Sequence, residues 1–264
     1  MMIRFARSTA FFLLYSIAIT SADRLDGRYS FSLTTFDPQG KLAQVERATL
    51  AASLGTPVIG VCCQHGVYLC APQLLPSPLI IDDGTARFVT ISKKIAITHS
   101  GIDGRIVLAA AQRMAVEYEF TYDEEMPIDA FLEEISLLFQ EYTMKAGCRP
   151  FGCSILAAHF DDESGNHCLY RIDPSGAVGV CGSSGMIGSA KVDFLSKIKQ
   201  HNGSAEVTVQ DLVQIMKDCL ETLNNFPSTE RPKMTYLTAK LTKDGLSIER
   251  QEKEKITNSF LASP

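Results

Sequence analysis

The order in which the apolar pattern changes period limits this chain most. Two apolar runs rich in β-branched residues, Val58 to Cys63 and Val67 to Cys70, flank His65-Gly66 and predict a hairpin; strand-like stretches follow at Phe88 to Ile91 and Ile95 to Thr98. The period then becomes helical. One helix is expected over Gly104 to Tyr118. A second starts near Pro127, a favoured first-turn residue, with Ile128, Phe131, Leu132, Ile135, Leu138, Phe139 and Tyr142 on one wide face. Glu133, Glu134 and Glu141 fall off that face and read as a solvated side rather than an acid–base pair. Strands resume at Gly152 to Phe160, His167 to Ile172 and Ala177 to Cys181, helices at Met186 to Lys199 and Val209 to Leu223, and strands at Met234 to Leu241 and Leu246 to Arg250. Strands, two helices, strands, two helices, strands is an α+β order. It is compatible with two stacked sheets carrying a helix pair on each outer face, although the pattern alone does not single that sandwich out.

With 264 residues and no repeat, low-complexity tract or long linker, the chain suits one compact domain with short tails. A net charge of −5 without a basic block excludes a nucleic-acid-binding footprint. The eight cysteines include no pair at CxxC spacing and the five histidines are dispersed, so neither a metal site nor a cofactor is expected; several cysteines sit in apolar runs and read as reduced, buried thiols. Asn202-Gly-Ser204 is a glycosylation sequon only if the chain is secreted. The N-terminus raises that question. Arg4 and Arg7 precede an apolar run from Ala10 to Ile19, and Ser21 and Ala22 follow, which is the layout of a secretory signal, too short to suggest a membrane span. Three readings stand for residues 1–22: a mis-predicted first exon, which is preferred, a true tail of a divergent paralogue, or a secretory signal.

Pro38 and Gly40 mark a turn, and Leu42, Val45 and Thr49 recur at helical spacing after it, predicting a short helix over 41–53. Tyr29-Ser-Phe31-Ser-Leu-Thr-Thr-Phe36-Asp-Pro38-Gln-Gly40-Lys-Leu42-Ala-Gln44-Val45-Glu46 resembles the N-terminal signature of proteasome α subunits, in the form most like the second α subtype. Arg149-Pro150-Phe151-Gly152 entering a strand and Asp173-Pro174-Ser175-Gly176 after the next one agree with that family. The resemblance covers roughly residues 23 to 250. It implies the four-layer αββα sandwich of N-terminal-nucleophile hydrolases with an extra N-terminal α-type helix. It further implies a seven-membered α ring stacked on a catalytic β ring in the 20S core, with two α neighbours, β subunits and regulatory activator particles as partners, and a place in cytoplasm and nucleus in ubiquitin-dependent protein degradation. Tyr29 resembles the family's gating tyrosine, with Phe31, Pro38 and Gly40 in the same tail, and Leu42, Gln44, Val45 and Glu46 lie on the helix that lines the top of the ring. The alternative for Tyr29 and Phe31 is that they are packing aromatics of an ordered arm. On this reading the chain divides into the extension 1–22, a gate segment and helix 23–54, a sandwich domain 55–250 and a charged tail 251–264.

Catalytic members of the family use a threonine freed by cleavage after glycine, and Gly55-Thr56 stands at that place. They also need an aspartate sixteen residues on and a lysine thirty-two on. Here those positions are Pro72 and Phe88, neither of which can move a proton. Arg87 is adjacent, but neighbours on a strand point to opposite faces. Hence the chain is expected to be no enzyme. An active threonine hydrolase and a fold-retaining paralogue outside the ring are the alternatives. Gly182-Ser-Ser-Gly185 is expected to be a packing loop before a helix. Two departures touch the gate and activator docking. Arg47 stands where α subunits often carry a tyrosine that helps hold the open gate, and Phe88 aligns with a lysine that receives an activator's terminal carboxylate, so a pocket formed with Phe88 is expected to grip activator tails poorly.

Overall fold

Apolar runs separated by tight turns pair locally, and here they pair into two sheets. A computed structural model describes residues 32, 34–63, 66–74, 87–161, 167–189, 234–242 and 244–252. In chain order the elements are α1 (Ala43–Ser53), β1 (Val58–Cys63), β2 (Gly66–Leu74), β3 (Phe88–Ser92), β4 (Ile95–Gly101), α2 (Gly104–Tyr122), α3 (Ile128–Met144), β5 (Cys153–Phe160), β6 (His167–Ile172), β7 (Val178–Val180), β8 (Ser184–Ile187), β9 (Met234–Thr242) and β10 (Gly245–Glu252). One sheet runs β10-β9-β2-β1-β8, the other β3-β4-β5-β6-β7, and every pairing is antiparallel.

Strands buried on both faces need apolar side chains at successive positions, and β4 and β5 have them. Ala96, Leu156 and Ala158 face the other sheet, where they meet Val58, Leu69 and Leu241. Ile95, Ile97, Ile155 and Ala157 face the helix pair and meet Val107, Ala111, Phe131, Ile135 and Phe139. The architecture is therefore α+β: two stacked sheets with α2 and α3 on the outer face of the second. The helices expected at 186–199 and 209–223 lie outside the described residues, apart from 186–189 at the start of the first.

Helix α3 follows its expected face, with Phe131, Ile135 and Phe139 wholly buried four residues apart. Pro127 is its N-cap rather than a first-turn residue; its carbonyl accepts the Phe131 N–H at 3.0 Å. Helix α2 ends where Asp123 turns left-handed (φ 57°) and donates its N–H to the Glu119 carbonyl at 2.8 Å.

One expectation fails within the described residues. Met186 and Ile187 do not open a helix; they belong to β8, with Ile187 opposite Val58 and Ser184 opposite Val61. Gly182 and Ser183 form the turn before it, while Ser184 and Gly185 are themselves strand. The free edge of β1, unpaired on that side by any local hairpin, takes this segment as a fifth strand, a tertiary preference that local periodicity does not carry.

Candidate gate and assembly site

The N-terminal arm is ordered by one short acidic side chain. Asp37 Oδ1 accepts the N–H groups of Gln39 (3.0 Å) and Lys41 (2.7 Å), and the Asp37 carbonyl accepts the Gly40 N–H at 2.9 Å. Pro38 sits inside this turn, where its fixed φ suits the second position, and Gly40 closes it at φ 78°, a conformation costly for any other residue. Leu42 is the extended N-cap of α1 rather than part of the helix. Lys41 Nζ lies 2.9 Å from Glu46 Oε1 across the helix start, and this pairing raises the Lys41 pKa. Gln44 and Val45 are half-buried and Glu46 and Arg47 exposed. Tyr29 and Phe31 lie outside the described residues.

Helix α1 docks through its smallest side chains. Ala48 and Ala52 are buried, and the chain then passes through a junction where glycines are required by close approach. A Cβ on Gly55 would stand 2.4 Å from the Gly101 nitrogen, and one on Gly188 would stand 2.6 Å from the Thr56 carbonyl oxygen. Ser100 Oγ donates to that carbonyl at 2.8 Å, and the Ser189 N–H donates to the Gly55 carbonyl at 3.0 Å. Gly55 and Thr56, both half-buried, are thus held between β4 and the residues after β8.

The two positions weighed for proton transfer are occupied in a way that fits their chemistry. Pro72 stands in β2 opposite Tyr236 of β9. On its other side the β1–β2 register stops at Ile59 opposite Cys70, and continuing it would bring Pro57 against Pro72, two residues with no N–H to donate. Phe88 is 2% exposed and packs between the sheets. Residue 88 therefore alternates inward within the single chain. Arg87, next to it, is half-buried, and its Nε has no hydrogen-bond partner among the described residues. Burial lowers the Arg87 pKa to about 10. His99 follows, lowered to about 4 by burial first and then by Arg87 and Arg105.

Arg149-Pro150-Phe151-Gly152 forms a clamp with a residue that sequence reasoning missed. The Asp103 carboxylate, almost wholly buried, accepts from Arg149 Nη1 (2.5 Å), Arg149 Nη2 (2.7 Å) and the Gly152 N–H (2.7 Å). Arg149, ahead of burial, determines the net shift and holds the carboxyl below its usual value. Phe151 lies edge-on to Phe139 at 5.4 Å and against Tyr142 at 4.3 Å, so the motif ties the starts of α2 and β5 to the end of α3. Asp173 and Gly176 close the other turn, with Gly176 N–H donating to the Asp173 carbonyl at 2.9 Å and Ser136 Oγ of α3 donating to the Gly176 carbonyl at 2.6 Å. Both motif turns therefore seat on α3, and Gly152 also lies beside α1, where an added Cβ would stand 3.5 Å from that of Ala51. The only sequence signal for Asp103 was an acidic residue just before a helix, and it serves Arg149 and Gly152 instead of capping α2.

The outer side of α2 is apolar as well as its inner side. Ile106 is 63% exposed, Val116 65% and Phe120 91%, with Ile102 just before the helix at 77%. Among the described residues no helix is long and apolar enough to cross a membrane. Among the described residues the seven cysteines form no disulfide, and Cys70 and Cys153 are buried.

A family model described as proteasome subunit matches residues 52–229. The chain belongs to the proteasome subunit family. Similar curated proteins are named proteasome subunit alpha type-2. The one from Trypanosoma brucei brucei is 45% identical over 149 residues, 56% of this chain and 64% of that protein. The one from Caenorhabditis elegans is 41% identical over 151 residues, again 56% and 64%. The one from Dictyostelium discoideum is 35% identical over 203 residues, 75% of this chain and 86% of that protein. The first two matches thus span a little under two thirds of the relatives' own length.

Proposed function

We propose that this chain is a non-catalytic structural subunit of the 20S proteasome core, placed in the α ring between two α neighbours and against β subunits. Pro72 and Phe88, at the positions where catalytic members carry an aspartate and a lysine, carry this reading. Catalysis in the family needs a free threonine amine and a proton relay, and here a proline and a buried phenylalanine stand where that relay would need an acid and a base. The full fold is taken as the four-layer αββα sandwich with an added N-terminal helix, its second helix pair drawn from 188–199 and 209–223. The exposed apolar side of α2 supports burial of this surface against another proteasome chain, since contiguous apolar surface marks contact sites. Tyr29 and Phe31 act in the gate, Pro38 and Gly40 set the direction in which that tail leaves α1, and Gln44, Val45 and Glu46 face the ring. Arg149 to Gly152, Asp173 and Gly176 shape the subunit rather than contact substrate. Phe88 stands where a lysine would receive an activator's terminal carboxylate, so a pocket formed with it grips activator tails poorly. The setting is cytoplasm and nucleus, in ubiquitin-dependent protein degradation.

The test is to purify the tagged chain from its native cells and measure its intact mass together with its co-purifying partners. The expected result is a chain uncleaved at Gly55 within a complex of other α and β chains. A chain beginning at Thr56 would overturn the non-catalytic reading, and a chain recovered alone would overturn ring membership. Binding of an activator tail peptide that is lost on mutating the pocket formed with Phe88 would overturn the poor-grip reading.

A further inference from the structure

The outer side of α2 carries a pattern of its own. Ile106, Ala109, Arg113, Val116 and Phe120 recur at steps of three and four, and all five are exposed. Steps of this kind put side chains in one seam along a helix, the arrangement by which two helices pack knobs into holes. A shallow, open surface pocket on this side is lined by seam residues together with Arg105, Gln112 and Glu117. Charge is graded along the helix: Arg105 stands near the N-terminal end, Arg113 in the middle, and Glu117 and Glu119 near the C-terminal end.

We propose that this face pairs α2 with α2 of a second copy of this chain, antiparallel, about a two-fold axis level with Ala111. In that register Ile106 meets Val116 of the second copy, Ile102 meets its Phe120, and Ala109 leaves room for the stem of its Arg113. Arg105 then lies on the same flank as the acidic Glu119 of the other helix. A parallel pair would instead set Arg113 against Arg113 and acid against acid, an arrangement disfavoured by like-charge repulsion. One polar residue within an apolar seam fixes register in this way at some cost in stability. A single helix pair is small for a protein interface, so the dimer is weak and forms only at raised concentration. The inference does not rest on membership of the α ring. A ring neighbour and a second copy compete for the same face, so this pairing belongs to the chain outside the ring.

Sedimentation of the purified full-length chain over a concentration series tests it. The expected result is a monomer–dimer equilibrium that Val116→Lys or Glu119→Arg weakens by at least about tenfold, with unchanged circular dichroism, and that Arg105→Glu combined with Glu119→Arg restores. The double variant Ile106→Cys with Val116→Cys, oxidised in air, should give a 106-to-116 disulfide between copies, mapped by peptide mass, and Ile106→Cys alone should give none at 106. A chain that stays monomeric throughout, a dimer unmoved by Val116→Lys, or a 106-to-106 cross-link would each overturn the proposal.

Discussion

Helices α2 and α3 lie side by side on one sheet and divide their residues in opposite ways. Helix α3 turns large side chains inward, with Phe131, Ile135 and Phe139 fully buried, and keeps acids such as Glu133, Glu134 and Glu141 away from the core. Helix α2 turns small or aliphatic ones inward, Val107, Leu108, Ala111 and Ala115, and leaves Ile106, Val116 and Phe120 exposed. The first helix stabilises the fold. The second sits close to its sheet and spends its largest apolar groups on the outside, where they contribute nothing to folding of the single chain and are available to a partner.

That contrast can be broken or sharpened by substitution. Phe139→Ala should cost about 3–5 kcal/mol, because it empties a packed site shared with Phe151; chemical denaturation of the purified chain measures this, and a loss below that of any α2 surface change would break the comparison. Asp103→Ala, which unties α2 from β5 and the end of α3, should cost about 1–3 kcal/mol by the same measurement. Gly40→Ala should cost about 1 kcal/mol through its left-handed backbone alone, since a Cβ there meets nothing. Phe120→Ser should change stability by less than about 0.5 kcal/mol while removing partner binding, read by pull-down of proteasome chains against the unchanged melting temperature.

Acid separates two further contributions. The His99 imidazole, held at about 4, stays neutral in the fold while the unfolded chain takes up a proton near 6.5, so stability falls as pH drops from that value towards 4. The Asp103 carboxyl is depressed, so its contribution is complete above the ordinary carboxylate range of about 4 and is lost as pH falls below it. His99→Phe should flatten the upper part of a stability–pH curve and Asp103→Asn the lower part. A curve that keeps its upper slope in His99→Phe would show that His99 is not the group responsible.

What the sequence made legible follows range of interaction. The face of α3 could be read because its pattern repeats every three or four residues and each member is buried by the same sheet. The hairpin of β1 and β2 and the Asp173–Gly176 turn are local in the same sense. Met186 and Ile187 were misread because their strand partner, Val58, is far away in sequence and nothing nearby signals the pairing. Asp103 was missed because its meaning comes from Arg149 and Gly152, whose approach is set by the packing of two helices. The outward seam of α2 was hidden by its own neighbours: a helix apolar on both sides reads simply as core until the structure shows which side is covered.

The glycine-lined junction at Gly55 also acts on a timescale. A protease takes its substrate as an extended strand, and Gly55, wedged against Gly101 and Gly188, cannot be lifted into a cleft by loop motion alone. Scission before Thr56 must wait for α1 to leave its seat, an opening of part of the fold rather than a flutter at its edge. The half-life of that bond under a non-specific protease is therefore a clock for the undocking of α1, and the two alanines beneath the helix, Ala48 and Ala52, set how fast it runs.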